Sequence, residues 1–197
     1  MDRVSIYRRA LQCLGEAEYV EGSATAGALD VAWKGVVLEA CARYNWSFTL
    51  RHAELEQLGG VGADGKVLYG LPADCVKVVE VCRGDGSRVS EPVMVGGGVR
   101  VPVDEAEGVW CAYHGDLLGD LSGLAEGRAA LFMEGVVRLL ASRICMQVTS
   151  NAGLGVQLLQ EAEGMFYKAI LHDKQQDWSN AKEPRVVLGA RRRKFCY

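Results

Sequence analysis

At 197 residues, 49% hydrophobic and 24% charged, with a formal net charge of −3, the chain has the composition of an ordinary soluble globular protein. The length is enough for one core, or for one core with a smaller appended lobe. The charge balance excludes an overall basic field that would hold nucleic acid, so any such contact must be local.

The seven cysteines (Cys13, Cys41, Cys75, Cys82, Cys111, Cys145 and Cys196) are odd in number and never spaced as a ligand pair. Most interrupt apolar runs, where a free thiol behaves as a small hydrophobe. The expectation is a reducing compartment without a disulfide framework. The opening Met1-Asp2-Arg3-Val4 lacks the apolar run of a signal peptide, and no stretch approaches membrane-spanning length. A chain made and kept in a cytoplasm, with no membrane partner, is therefore expected. The glycines, 24 against four prolines, sit mostly in short clusters and point to tight turns.

In chain order, Asp2 is placed to cap a first helix with Val4, Tyr7, Leu11 and Leu14 on one face, stopped at Gly15. A second helix is expected from Ser23 or Thr25, with Leu29, Trp33, Val36, Val37, Ala40 and Tyr44 as its apolar stripe. From Trp46 to about Gly115 the pattern changes to short β-type runs between glycine turns. Val76-Lys77-Val78-Val79-Glu80-Val81 reads as a strand followed by a turn at Gly84-Asp85-Gly86. Val93-Met94-Val95 and Val99-Arg100-Val101 read as a hairpin with a three-residue loop, and Val109-Trp110-Cys111-Ala112-Tyr113 as the last strand. Four to six strands would form a small sheet or barrel-like lobe.

Helical periodicity returns near Ser122 and runs to about Thr149, carrying Leu124, Leu131, Val136, Leu139, Leu140 and Ile144. Asn151-Ala152-Gly153 breaks it, and a further helix carries Leu154, Leu158, Ala162, Met165, Ala169 and Ile170 before turning polar from Asp173 to Asp177. These two helices should form an antiparallel hairpin, with Trp33 and Leu131 buried where the early helices meet it. The fold class expected is α+β. A helical bundle (residues 1–45 and 120–180) carries an inserted β-rich lobe (46–119) and an extended C-terminal arm (181–197).

Chemistry is sparse. Gly60-Val61-Gly62-Ala63-Asp64-Gly65-Lys66 matches seven positions of a phosphate-binding loop, but Val67 stands where the magnesium-binding hydroxyl belongs. Such a loop also follows a buried strand and opens a helix, so that amides face the phosphates. Here Glu54-Leu55-Glu56-Gln57 precedes it and Val67-Leu68-Tyr69 follows, which favours a surface turn. His52, His114 and His172 have no companion at a metal-site spacing and read as surface or partly packed residues. Glu161 and Glu163 fit a solvated helix face better than acid–base work. No catalytic residue, metal or cofactor is expected.

The terminal Arg191-Arg192-Arg193-Lys194 run has two readings. One is a solubilising tail. The other is an arm that docks into a partner, with Phe195 and Tyr197 as anchors and the cations meeting acidic or backbone acceptors.

Three stretches resemble the tail tubular protein A family of podoviruses and related phage head–tail adaptors. Ala10-Leu11-Gln12-Cys13-Leu14-Gly15-Glu16 is like the family's "A-L-x-x-L-G-E" helix end. Tyr44-Asn45-Trp46-Ser47-Phe48, Arg51 and Leu55 resemble "P-W-x-F-A-x-x-R-x-x-L", and Tyr69-Gly70-Leu71-Pro72-Ala73-Asp74-Cys75 resembles "Y-x-L-P-x-D-C". Leu139-Leu140-Ala141-Ser142-Arg143-Ile144 and Tyr167-Lys168-Ala169-Ile170 stand at matching places in the final helix pair. Asn45 departs from the family's proline.

The resemblance implies a structural subunit of the virion, one of a dodecameric homo-oligomeric ring between the portal protein and a tail or nozzle protein. The ring seals the junction, and DNA passes through its lumen without specific binding. The resemblance further implies that the arm binds the portal through Val186, Val187, Leu188, Arg191, Arg192, Arg193, Lys194, Phe195 and Tyr197. The alternative function is a nucleic-acid-binding module that uses the Arg-rich tail.

Overall fold

The computed structural model describes residues 2–16, 18–119 and 129–181. The protein is α+β, with four helices and two antiparallel sheets in the order α1, α2, β1 to β7, α3, α4. Two compact units divide the chain at Phe48/Thr49 and Gly115/Asp116. The helical unit comprises Met1–Phe48 with Asp116–Asp177, and the β unit contains residues 49–115.

In the helical unit, α1 (Arg3–Cys13) begins where the Asp2 carboxylate accepts the Ser5 N–H at 2.8 Å. It ends where Gly15 takes φ +79° and the Glu16 N–H bonds back to the Leu11 carbonyl at 3.0 Å. Its buried arc is Ile6, Tyr7, Ala10 and Leu11, continued by Leu14. Val4, expected on that face, lies at its edge and is exposed, because the arc is centred on Tyr7 and Ala10. Helix α2 (Ala24–Ala42) is capped by the Ser23 hydroxyl at Ala26 N–H. It buries Leu29, Trp33, Val36, Val37 and Ala40, and the Trp33 ring meets Tyr7 edge-on at 5.7 Å. Tyr44 lies past the helix end, half-buried against Trp46.

Helices α3 (Ala130–Thr149) and α4 (Ala152–Ala181) are separated by Ser150, which adopts a left-handed conformation, and by Asn151, whose side chain accepts the Leu154 N–H. The expected start of α3 near Ser122, with Leu124, lies outside the described residues. Leu131 is only half-buried, because its neighbours Phe132 and Met133 take the inward positions. On α4, Leu158, Ala162, Phe166 and Ala169 are buried, whereas Leu154, Met165 and Ile170 sit at the margin. Phe166 packs over Gly135 so closely that a Cβ there would fall 2.7 Å from the ring.

Two arginine–carboxylate networks tie these helices together. Glu134 on α3 accepts from Arg9 of α1 and from Arg138, which also reaches Glu161 of α4. Glu39 on α2 accepts from Arg43 and from Arg143 of α3, and Arg43 holds both oxygens of Glu163 on α4 at 2.6 Å. Burial works against the charge on Glu134 and Glu39, but the arginine hydrogen bonds outweigh it and hold both carboxyls below their ordinary range. Most of these side chains are partly solvated, so each pair stabilises by at most about 1 kcal/mol. Their main effect is to fix helix register through planar guanidinium geometry.

The β unit has seven strands, more than the four to six expected. Strands β1 (Leu50–Glu54), β7 (Trp110–Gly115) and β4 (Cys75–Cys82) form one sheet in the order β1-β7-β4. Strands β2 (Glu56–Val61), β3 (Lys66–Gly70), β6 (Gly98–Pro102) and β5 (Val93–Val95) form the other, in the order β2-β3-β6-β5. Val67, Tyr69, Val99 and Val101 of the second sheet share a core with Val81, Cys111 and Tyr113 of the first. The β5–β6 loop is two residues, Gly96 and Gly97, because Val95 pairs with Gly98. Gly97 takes the positive φ, +84°, that such a tight turn requires.

Two tests follow from the helical packing. Leu139 is fully buried, so Leu139→Ala should lower unfolding free energy by roughly 2–5 kcal/mol in denaturant melts. A methyl group at Gly135 would gain about 1 kcal/mol of helix propensity but cost about 1–3 kcal/mol in displacing Phe166. Gly135→Ala should therefore destabilise, while Gly164→Ala, with open space beside it, should raise the midpoint in the same melt.

Candidate interaction surfaces

The residues quoted for the family resemblance sit at structural joints. Trp46 is completely buried: its indole N–H donates to the Ala40 carbonyl at 3.0 Å, and its ring stacks on Phe48 and meets Phe132. The next residue, Ser47, opens a short 3-10 turn (Ser47–Thr49) and gives both its N–H and its hydroxyl to Asp173 of α4. Asp173 was expected in a solvated polar stretch. It is buried because a carboxylate with two donors satisfies the exposed amide end of that turn.

In the β unit, Arg51 of β1 pairs with Asp74, and the Tyr113 hydroxyl of β7 donates to Asp74 at 3.1 Å. Leu55 and Tyr69 lie in the core, and the Tyr69 hydroxyl donates to the Ala106 carbonyl. The Pro72 carbonyl accepts the Cys75 N–H at 2.9 Å, closing the turn that launches β4. Gly115 is hemmed in at this place, since a Cβ would fall within 3 Å of both Arg51 and Asp74.

Gly60-Val61-Gly62-Ala63-Asp64-Gly65-Lys66 forms the end of β2 and a turn into β3. Gly62 and Lys66 close it through a 2.8 Å backbone bond, with Gly65 at φ +71°. Lys66 opens a strand, and its ammonium donates to the Glu91 carbonyl at 3.0 Å. No helix N-terminus follows to aim amides at a phosphate.

Of the histidines, His52 is exposed and His172 half-buried, whereas His114 is buried with Nδ1 2.9 Å from the Thr49 hydroxyl. Its position on β7 between β1 and β4 encloses it, which a lone His in the sequence does not reveal. Burial pushes the Cys111 thiol up to about 11, so little thiolate exists at neutral pH. Glu161 and Glu163, expected to be simply solvated, bind Arg138 and Arg43. Among the described residues, no three His, Cys, Asp or Glu side chains are grouped to hold a metal ion, and no helix is long and apolar enough to cross a membrane.

The nine arm residues assigned to portal binding (Val186, Val187, Leu188, Arg191, Arg192, Arg193, Lys194, Phe195 and Tyr197) lie outside the described residues. The described surface offers the edge strands of the two sheets, among them β2 and β5 of the second sheet. Strand β2 is exposed along its whole length, and β5 pairs only with β6, leaving Val93 and Met94 exposed. Between the segments that follow β4 and β6 lies a hollow of about 500 Å³ lined by Arg83, Gly84, Asp85, Asp104, Glu105, Glu107 and Gly108. On the helical unit, Arg3, Arg9, Arg43, Arg138 and Arg143 each pair with a carboxylate.

These features define a mixed α+β protein with built joints and open strand edges. Compared with models of known protein families and with curated proteins, the chain matches none.

A nucleotide test separates the turn from a phosphate site. Calorimetry with ATP or GTP should give no binding heat; micromolar affinity abolished by Lys66→Ala would overturn the surface-turn reading.

Proposed function

We propose that this protein is a head-to-tail adaptor subunit of a tailed phage. A helical bundle built from two N-terminal helices and a C-terminal helix hairpin carries the inserted β lobe. Copies form a ring, of dodecameric order by the family resemblance, between the portal and a tail or nozzle protein. The protein does no chemistry; it seals the junction and continues the DNA channel.

The observation that carries this reading is the Arg51–Asp74 pair. Asp74 stands at the aspartate of "Y-x-L-P-x-D-C", while Arg51 stands one position ahead of the other motif's arginine, whose place is taken by His52; in the β unit Arg51 and Tyr113 both bond the Asp74 carboxylate. The helix stop at Gly15 and the buried Trp46 support the reading in the same way. Acidic residues outnumber basic ones overall, which suits a lumen that must not retard a phosphate backbone.

On this reading the C-terminal arm joins the portal, with Phe195 and Tyr197 as apolar anchors, and the repeated ring geometry supplies avidity. Deleting residues 184–197 should leave a soluble protein with unchanged circular dichroism that no longer co-sediments with portal-containing heads. Undiminished co-sedimentation would place the connection on the helical body instead.

A further inference from the structure

Charge is distributed unevenly along this chain. Residues 182–197 hold six of its 22 Lys and Arg side chains and only one of its 25 Asp and Glu. The hollow between the segments that follow β4 and β6 has the opposite bias, with Asp85, Asp104, Glu105 and Glu107 against Arg83 alone. One of its lining residues, Glu105, accepts the N–H of Ser90, three residues ahead of β5, at 2.8 Å.

Strand β5 is itself an incomplete ladder. Val95 and Gly98 close a two-residue hairpin, and that closing pair is hydrogen-bonded, as is Val93 with Arg100. The backbone N–H and C=O of Met94 therefore point away from β6, toward the open side. Val93 and Met94 expose apolar side chains there, 43% and 51% accessible. Such an edge accepts one more strand.

We propose that the β5 edge and the acidic hollow receive the C-terminal segment of a second copy of this chain. Val186-Val187-Leu188 matches β5 in length and in β-prone, apolar character. Laid antiparallel with Val187 opposite Met94, it runs toward Ser90. Arg191 then lies three residues past Leu188, roughly 10 Å further along, and Arg191-Arg192-Arg193-Lys194 enters the hollow. Parallel addition would carry the cations away from it, so charge selects the direction. Phe195 and Tyr197 emerge beyond the hollow, free for another partner.

The second copy as occupant rests on the adaptor reading. Arm and edge are different surfaces of one chain, so exchange can run head-to-tail from copy to copy and close into a ring, as the adaptor reading requires, where reciprocal exchange would stop at a two-fold dimer. The arm would then cross its neighbour's β unit before it reaches the portal.

The test uses the full chain as a mixture of isotopically heavy and light copies, with a photo-crosslinking phenylalanine analogue replacing Met94. Illumination should join position 94 to the peptide covering residues 186–190, in mixed heavy–light pairs. Arg191→Glu, Arg192→Glu and Arg193→Glu together should lower that yield roughly tenfold, as should high salt. Asp104→Lys with Glu107→Lys should restore it in the reversed-charge arm, which a mere folding defect would not allow. Crosslinks within one copy, crosslinks to other peptides, or no crosslink overturn the proposal. If it fails while wild-type protein still joins portal-containing heads, the adaptor reading stands. Crosslinking without attachment to heads leaves arm exchange standing and removes the adaptor.

Discussion

The helical unit depends on how residues 46–48 are held at the point where the chain leaves it. Trp46 is fully buried, and burying an indole of roughly 150–250 Å² contributes about 4–6 kcal/mol in transfer terms. Its one polar atom is satisfied by the Ala40 carbonyl, so the burial carries no unpaired donor. Ser47 follows immediately and gives both of its donors to Asp173. Hydrogen bonds to a charged group stabilise by about 1.5–3 kcal/mol each, and losing the partner would strand a carboxylate in the interior. Apolar anchoring and polar locking thus act on consecutive residues. The end of α2 and the last third of α4 are joined through a turn that belongs to neither helix.

The periodic parts of this arrangement were legible in the sequence. Asp2 and Ser23 are small polar residues ahead of apolar stripes, and both cap helices; Asn151, read only as a break, caps α4 as well. Val76 to Val81 and the Val93 to Val101 hairpin follow from β-branched runs between glycines. Strand β2 was not seen because it is exposed throughout and includes Gly59 and Gly60, which leaves no two-residue alternation to read, and β1 and β3, which do alternate, were left undelimited within the β-type region. Phe166 escaped because the stripe was assigned through Met165, one position and about 100° away on the helix. Asp173 and His114 could not be found at all, since a buried polar residue is defined by partners distant in sequence: Ser47 for one, Thr49 for the other. The Arg51–Asp74 joint was visible only as two unconnected fragments of a resemblance.

The helical arginines show how charge can be organised without forming a binding face. Arg9, Arg43, Arg138 and Arg143 turn inward to carboxylates on neighbouring helices, and the Arg43 guanidinium lies 4.9 Å from the centre of the Phe166 ring. Planar cations so engaged report on helix register and are withdrawn from solvent recognition. The basic residues of the sequence are densest at its C-terminal end, where residues 182–197 hold six Lys and Arg against one Glu. A chain can in this way be acidic over its body and still offer a strongly cationic handle.

The division at Phe48 and Gly115 also bears on synthesis. The β unit is continuous in sequence, whereas the helical unit is assembled from two segments on either side of it. On a ribosome the strands from Leu50 to Gly115 emerge and can pair before α3 and α4 have left the exit tunnel. Helices α1 and α2 must wait through that interval with Trp33, Val36 and Val37 still lacking the surface that covers them. The small domain is finished first, and the larger one closes last, when Asp173 arrives to meet Ser47.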